Sequence, residues 1–240
     1  MKRISELMSL KGRVAVITGR AGHIGAAMAE ALAELGAKIV ILDVSPESCL
    51  LVCERISKEY TVETLPLAVN LAQEEYIRMV PEEVVNKFGR LDILVNCAAF
   101  VGTSKLQGWI TPFEEQSADT WRQALDVNLT APFILTQACT PALKRSGHGS
   151  VINIASIYGI QGPDMRLYNG TEMGNPAAYA ASKGGFLQLT RWLATVLAPD
   201  VRVNAITSGG VSRGPPEVFQ RRDIEKIPLK RMAIEEDFKA

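Results

Sequence analysis

Short runs of continuous apolar residues alternate along this chain with longer segments whose apolar positions recur every three or four residues. Arg13–Thr18, Lys38–Asp43 (KIVILD), Leu91–Asn96 (LDILVN), Ser150–Ala155 and Val201–Ile206 read as strands, and Val62–Val69 as a further strand interrupted by Pro66. Between them lie helical patterns: Ile24–Leu35 closed by Gly36, Pro46–Tyr60, Ala72–Phe88 with Pro81 inside it, Phe113–Leu143 with Pro132, and Asn175–Thr195. Pro81 predicts a kink or break in its helix, and Pro132 a kink in the longest one. Strands apolar on every position are buried on both faces, so the pattern predicts one α/β domain over residues 1–240, built on a parallel sheet covered by helices on both sides. Right-handed crossovers then give the doubly wound order 3-2-1-4-5-6, whose ligands bind beyond the carboxyl ends of the strands.

Composition narrows the picture mainly by exclusion. Lys plus Arg and Asp plus Glu are 26 each, giving zero formal net charge, so neither a nucleic-acid nor an anionic-membrane partner is expected. No apolar run approaches a membrane span, and the start MKRISELMSLKGR is no secretory signal. Four scattered cysteines (Cys49, Cys53, Cys97, Cys139) fit a reducing cytoplasm, and with only two histidines no metal site is expected.

Chemistry enters at three places. The turn Thr18-Gly19-Arg20-Ala21-Gly22-His23-Ile24-Gly25 follows the first strand and opens a helix, where backbone N–H groups and the helix dipole can hold a pyrophosphate. Asp43 ends the second strand, 18 residues beyond Gly25; its carboxylate suits an adenosine ribose and repels a 2′-phosphate, which predicts NAD in preference to NADP. Tyr179 and Lys183 stand four apart on one helix, so the ammonium group is expected to lower the phenol's pKa and make it an acid/base.

Together with Asn96-Cys97-Ala98-Ala99, Asp126-Val127-Asn128-Leu129 and Ser156, these motifs resemble the short-chain dehydrogenase/reductase family over about residues 10–240. The resemblance implies a Rossmann-type fold and an NAD(P)-dependent enzyme that interconverts a hydroxyl and a carbonyl on a small molecule, working as a homodimer or homotetramer. It implies Tyr179 as acid/base, Lys183 on the nicotinamide ribose, Ser156 on the reacting oxygen, and Asn128 anchoring a water that links Lys183 to solvent. The cofactor set it implies is Gly19, Arg20, Gly22, His23, Ile24, Gly25, Asp43, Val44, Asn70, Leu71, Asn96, Ala98, Tyr179, Lys183, Gly209 and Val211. The family pairs through two long helices, represented here by Trp121–Leu135 and Phe186–Leu197.

Departures from the family pattern stand at His23 in place of a glycine, Asn70 in place of an aspartate, and Ser208 in place of a proline. The sequence ends where relatives continue into a helix and a seventh strand, so that piece is expected to be absent from it. The altered glycine loop and the missing seventh strand motivate the alternative of a catalytically impaired nucleotide-binding sensor or scaffold. Ser156 and Tyr179 are 23 positions apart, more than is usual in the family, and the extra segment must arch over the reaction centre. Its YGxxxPDxxxYxGTxM pattern resembles family members of flagellin-modification and legionaminic-type sugar pathways. The segment is rich in hydrogen-bonding groups, so a polar, sugar-like substrate is expected, with Arg166 as partner to an anionic group and Trp109 stacking on the ring.

Overall fold

The computed structural model describes residues 1, 3–19, 23–101 and 104–239, with His23 described through its backbone alone. After a short helix α1 (Ile4–Met8), the elements alternate as β1 (Val14–Thr18), α2 (His23–Glu34), β2 (Lys38–Asp43), α3 (Pro46–Tyr60), β3 (Thr64–Ala68) and α4 (Glu74–Phe88). They continue as β4 (Ile93–Asn96), α5 (Ala118–Leu125), α6 (Ala131–Ser146), β5 (Gly149–Ile154), α7 (Ala177–Val196), β6 (Val201–Ile206) and α8 (Glu217–Lys226). All six strands pair in parallel in the order β3-β2-β1-β4-β5-β6. The expected order is therefore observed, with β3 and β6 at the edges of the described sheet.

The continuous apolar strands are explained by burial on two sides. Val14, Val16, Val40, Leu42 and Leu94 point to one face and pack with Ile77 and Val84 of α4, Leu135 and Cys139 of α6, and Leu193 of α7. Ala15, Ile17, Ile39, Ile41, Ile93 and Val95 point to the other, against Met28 and Ala29 of α2 and Val52 and Ile56 of α3. Successive strand residues face opposite sides, so a strand sandwiched between helix layers has no polar position to spare. Each of the Val, Leu, Ile and Met side chains contributes roughly 1.5–3 kcal/mol by leaving water. The edge strand β3 tolerates Pro66, opposite Ile41, because its outer side has no ladder partner to lose.

Two helix expectations are revised. Helix α4 runs through Pro81 without a break, so the proline is absorbed within it. The single long helix over Phe113–Leu143 is a short 3-10 turn at Phe113–Glu115 followed by α5, a π-helical turn at Asp126–Thr130, and α6. Pro132 lies in the first turn of α6, directly after the π-turn. The π-turn carries Asn128, and such turns often mark functional sites within helices. A helix absent from the sequence reading, α8, packs against the segment between β5 and α7.

Candidate active site

A cavity of about 910 Å³ opens beyond the carboxyl ends of the strands and runs from Gly19 and Asp43 past Ser156 and Tyr179 to Asp223. The walls nearest the sheet are placed by strand ends. Gly19 follows β1 with φ +79°, and a Cβ there would lie 2.5 Å from the Cα of Ala98, so both its backbone angle and its packing demand glycine. Thr18 braces the same junction: its Oγ1 accepts from the Cys97 and Ala98 N–H groups at 3.0 and 3.1 Å. Asp43 ends β2 and is buried, with Oδ1 accepting from Val44 N–H at 2.7 Å. Val44, Asn70, Leu71, Ile24, Ala98 and Gly209 also line the cavity, as does Val211, which bridges to Ala233. Gly25 lies in the first turn of α2. Arg20, Gly22 and the His23 side chain lie outside the described residues.

At the centre stand Ser156, Tyr179 and Lys183. Ser156 stands two residues beyond the end of β5, is buried, accepts from Tyr158 N–H at 3.2 Å, and hydrogen-bonds the Tyr179 phenol. Lys183 is one helical turn beyond Tyr179, with Nζ 5.8 Å from the Tyr179 ring centroid and donating to the Ile154 carbonyl at 2.7 Å. The expected depression of the Tyr179 pKa does not appear. Burial, the largest influence, pushes the phenol up, opposed by the Ser156 hydrogen bond and by Arg213. Lys183 is itself pushed down to about 8 by burial, so the same desolvation that raises the phenol weakens the cation meant to lower it.

Two asparagines expected here serve the framework. Asn128 is buried, with Nδ2 donating to the Phe100 carbonyl (3.0 Å) and Ser182 Oγ (3.1 Å) and Oδ1 accepting from Phe100 N–H (2.7 Å). Its amide thus ties the π-turn to α7 and to the loop after β4. Asn96 is turned into the protein, donating to Asn153 Oδ1 at 2.9 Å and Thr136 Oγ1 at 3.3 Å, and is not among the residues lining the cavity.

The substrate contacts expected of Arg166 and Trp109 are corrected by their placement. Arg166 points outward with a side chain 83% exposed, and its guanidinium is held by Asp164 through two hydrogen bonds of 2.9 and 2.8 Å. Asp164 also pairs with Lys226, so the anion that engages Arg166 is supplied by the chain itself. Trp109 is buried against Ala124 and Ala178, and its indole N–H donates to the Val101 carbonyl at 2.9 Å. It supports the cavity wall from behind.

The segment between Ser156 and Tyr179 does cover the reaction centre, through other residues. Tyr158, Tyr168, Met173 and Asn175 line the cavity, and the Tyr168 hydroxyl donates to that of Tyr158 at 3.0 Å. Leu167 is buried with Phe219 and Met232 in a small core between this segment and α8. Arg222 clamps the same junction by donating to the Leu167 and Asn169 carbonyls at 3.3 and 2.5 Å. The sequence reading missed Phe219, Asp223 and Met232. The signal for α8 was an apolar residue and an acid four apart, Phe219 and Asp223, hence on one face.

Comparison with known proteins places this architecture. The family model described as short chain dehydrogenase matches residues 13–217. A probable galactose dehydrogenase of Rhizobium meliloti is 34% identical over 240 residues, covering 97% of this chain and 87% of its own. A trans-4-hydroxycyclohexanecarboxylate dehydrogenase of Sinomonas cyclohexanicum is 34% identical over 239 residues, with 97% and 84% covered. The crystal structure of an NAD+-bound xylitol dehydrogenase superposes with a TM-score of 0.83 at 28% identity, covering 95% of this chain and 90% of that one. With its six-stranded, doubly wound parallel sheet, the chain belongs to the short-chain dehydrogenase family of oxidoreductases.

Proposed function

We propose that this protein is an NAD(H)-dependent oxidoreductase that interconverts a secondary hydroxyl and a carbonyl on a polar, sugar-like small molecule, with Tyr179 as acid/base. The observation that carries the reading is the meeting of Ser156, Tyr179 and Lys183 in one cavity that continues to Asp43. A dinucleotide fits these residues: Gly19 after β1, Ile24 at the start of α2, the carboxylate ending β2 and the Gly209–Val211 loop all border the same space. Asp43 would meet the adenosine ribose, and its charge favours NAD over a 2′-phosphorylated cofactor. When bound, the nicotinamide supplies or accepts the hydride.

The chain's own residues handle the proton. A phenol held above its ordinary value is protonated at neutral pH, the form that delivers a proton to a carbonyl oxygen during reduction. In the reverse direction the phenolate takes the hydroxyl proton, so oxidation gains as pH rises into the alkaline range. Ser156 Oγ, now bonded to the phenol, turns to hold the reacting oxygen beside it. The names of two of the relatives, a sugar and a polyol dehydrogenase, agree with the hydroxyls and amide that the covering segment presents. A panel of polyols, sugars and simple secondary alcohols, followed by nicotinamide absorbance with each dinucleotide, tests the reading. Hydroxyl-dependent reduction of NAD+ exceeding that of NADP+ is expected; no turnover anywhere in the panel would defeat it.

The same reading extends to assembly. Trp121 of α5, Phe133 of α6 and Trp192 and Val196 of α7 are 38%, 38%, 54% and 50% exposed, and α5 packs on α7. We propose that these faces pair two copies of the chain. Sedimentation at micromolar concentration should show a dimer or tetramer, and a strict monomer would refute it.

A further inference from the structure

Asp223 presents an unusual problem of charge. It is 8% exposed, on the inner face of α8, and lines the cavity beyond Tyr158 and Tyr168. Its Oδ2 is buried without a hydrogen-bond partner. The atom faces Gly210, where an added Cβ would stand 2.8 Å away. Burial alone pushes the carboxyl up, and neither cation among the described lining residues, Lys183 or Arg213, acts against it. Lys183 is spent on the Ile154 carbonyl, and Arg213 lies 3.7 Å from Glu235. A second acceptor of the covering segment, Asn175 Oδ1, is likewise buried and unpartnered. Both hydroxyls of the Tyr158–Tyr168 pair lie nearby, and the Asp223 charge reaches both rings.

Buried acceptors are normally satisfied, and an unpaired buried carboxylate is strongly unfavourable unless a ligand brings donors to it. We propose that Asp223, with Asn175 and the Tyr158–Tyr168 hydroxyl pair, is the substrate-recognition subsite of this cavity and takes adjacent hydroxyls of a neutral polyhydroxylated substrate. The inference rests on the oxidoreductase reading and deepens it. Two features select hydroxyls. Tyr158, having accepted from Tyr168, keeps its own proton to donate, and a substrate hydroxyl can accept that bond while donating to Asp223; an ammonium group only donates. A substrate carboxylate offers no donor and meets like charge. The covering segment thus recognises its ligand through acceptors pointing inward, while its one arginine, Arg166, faces solvent and is bound to Asp164.

The test compares the purified wild-type chain with Asp223→Asn and Asp223→Leu, using NAD+ with a neutral polyol, the sugar acid of the same carbon skeleton, and a monohydric secondary alcohol. Both variants are expected to fold, because they remove an unpaired buried charge. Wild type should favour the polyol over the acid. Asp223→Leu should lower kcat/KM for the polyol about 100-fold, chiefly through KM, since a subsite built to bind hydroxyls is left without its acceptor. Turnover of the monohydric alcohol should change by less than about threefold, and NADH binding by no more, as Asp223 touches neither reacting group. Asp223→Asn should fall between and narrow the discrimination against the acid. Unchanged polyol KM in Asp223→Leu, or wild-type preference for the acid, overturns the subsite while leaving the oxidoreductase reading intact. Absence of turnover on all three substrates removes both.

Discussion

The two ends of the cavity are built on opposite rules. At the end formed by β1, β2 and β4, most polar groups are bonded within the fold: Thr18 Oγ1 takes two backbone N–H groups, Asp43 takes Val44 N–H, and Asn128 makes three bonds to its surroundings, while the unpartnered Asn96 Oδ1 belongs to a residue outside the cavity lining. At the end formed by the covering segment and α8, Asp223 Oδ2 and Asn175 Oδ1 are buried and unanswered. The first end is a frame held rigid by internal bonds before any ligand arrives. The second leaves acceptors without partners in its wall. A scaffold of this kind can keep one end fixed while the other changes, because the bonds that hold the frame do not pass through the residues of the far end.

The strongest way to break this division is at its boundary. Tyr179→Phe should reduce turnover by about 10²–10⁴-fold in steady-state assays, while dinucleotide binding and melting temperature stay near wild type. Activity within a few-fold of wild type would remove the phenol from proton transfer and with it the join between the two ends.

A change inside the frame should act on stability instead. Thr18→Val keeps the shape but leaves the Cys97 and Ala98 N–H groups without their acceptor, costing about 2–4 kcal/mol in denaturant unfolding. A loss below half a kilocalorie would mean that the β1–β4 junction is not held as described.

The smallest effect expected concerns Lys183, whose ammonium is pushed by burial from 10.5 to about 8. Below pH 8 the native state must hold a buried charge that the unfolded chain keeps in water. The group therefore subtracts stability there, and the penalty fades as pH rises from 8 towards 10.5, where the unfolded chain binds the proton the native state has released. Lys183→Met should accordingly be more stable than wild type by about 1–3 kcal/mol at pH 7 without cofactor, with a gap that closes by pH 10. A gap independent of pH would show that the lysine is not desolvated.

Much of the frame is legible in the sequence. Runs such as KIVILD can be buried on both faces only in a parallel sheet between helix layers, and Gly19, Asp43, Ser156, Tyr179 and Lys183 lie at strand ends or one helical turn apart. Local pattern determines these positions because periodicity and chain connectivity leave little freedom. The substrate end was not legible in that way. Arg166 and Trp109 were credible ligands by residue type, yet Asp164, two residues from Arg166, neutralises it, and Trp109 finds its acceptor at Val101 and turns inward. The pKa of Tyr179 moved against the expectation drawn from its lysine, because desolvation is a property of the whole surroundings and not of two residues on a helix. Asp223 lies 44 residues beyond Tyr179 in the chain, and only the docking of α8 onto the covering segment brings it to the same cavity. The sequence by itself determined the sheet, the crevice and the meeting of Ser156, Tyr179 and Lys183; tertiary packing alone decided which side chains line the far end of the cavity, since that depends on which polar atoms the fold leaves without partners.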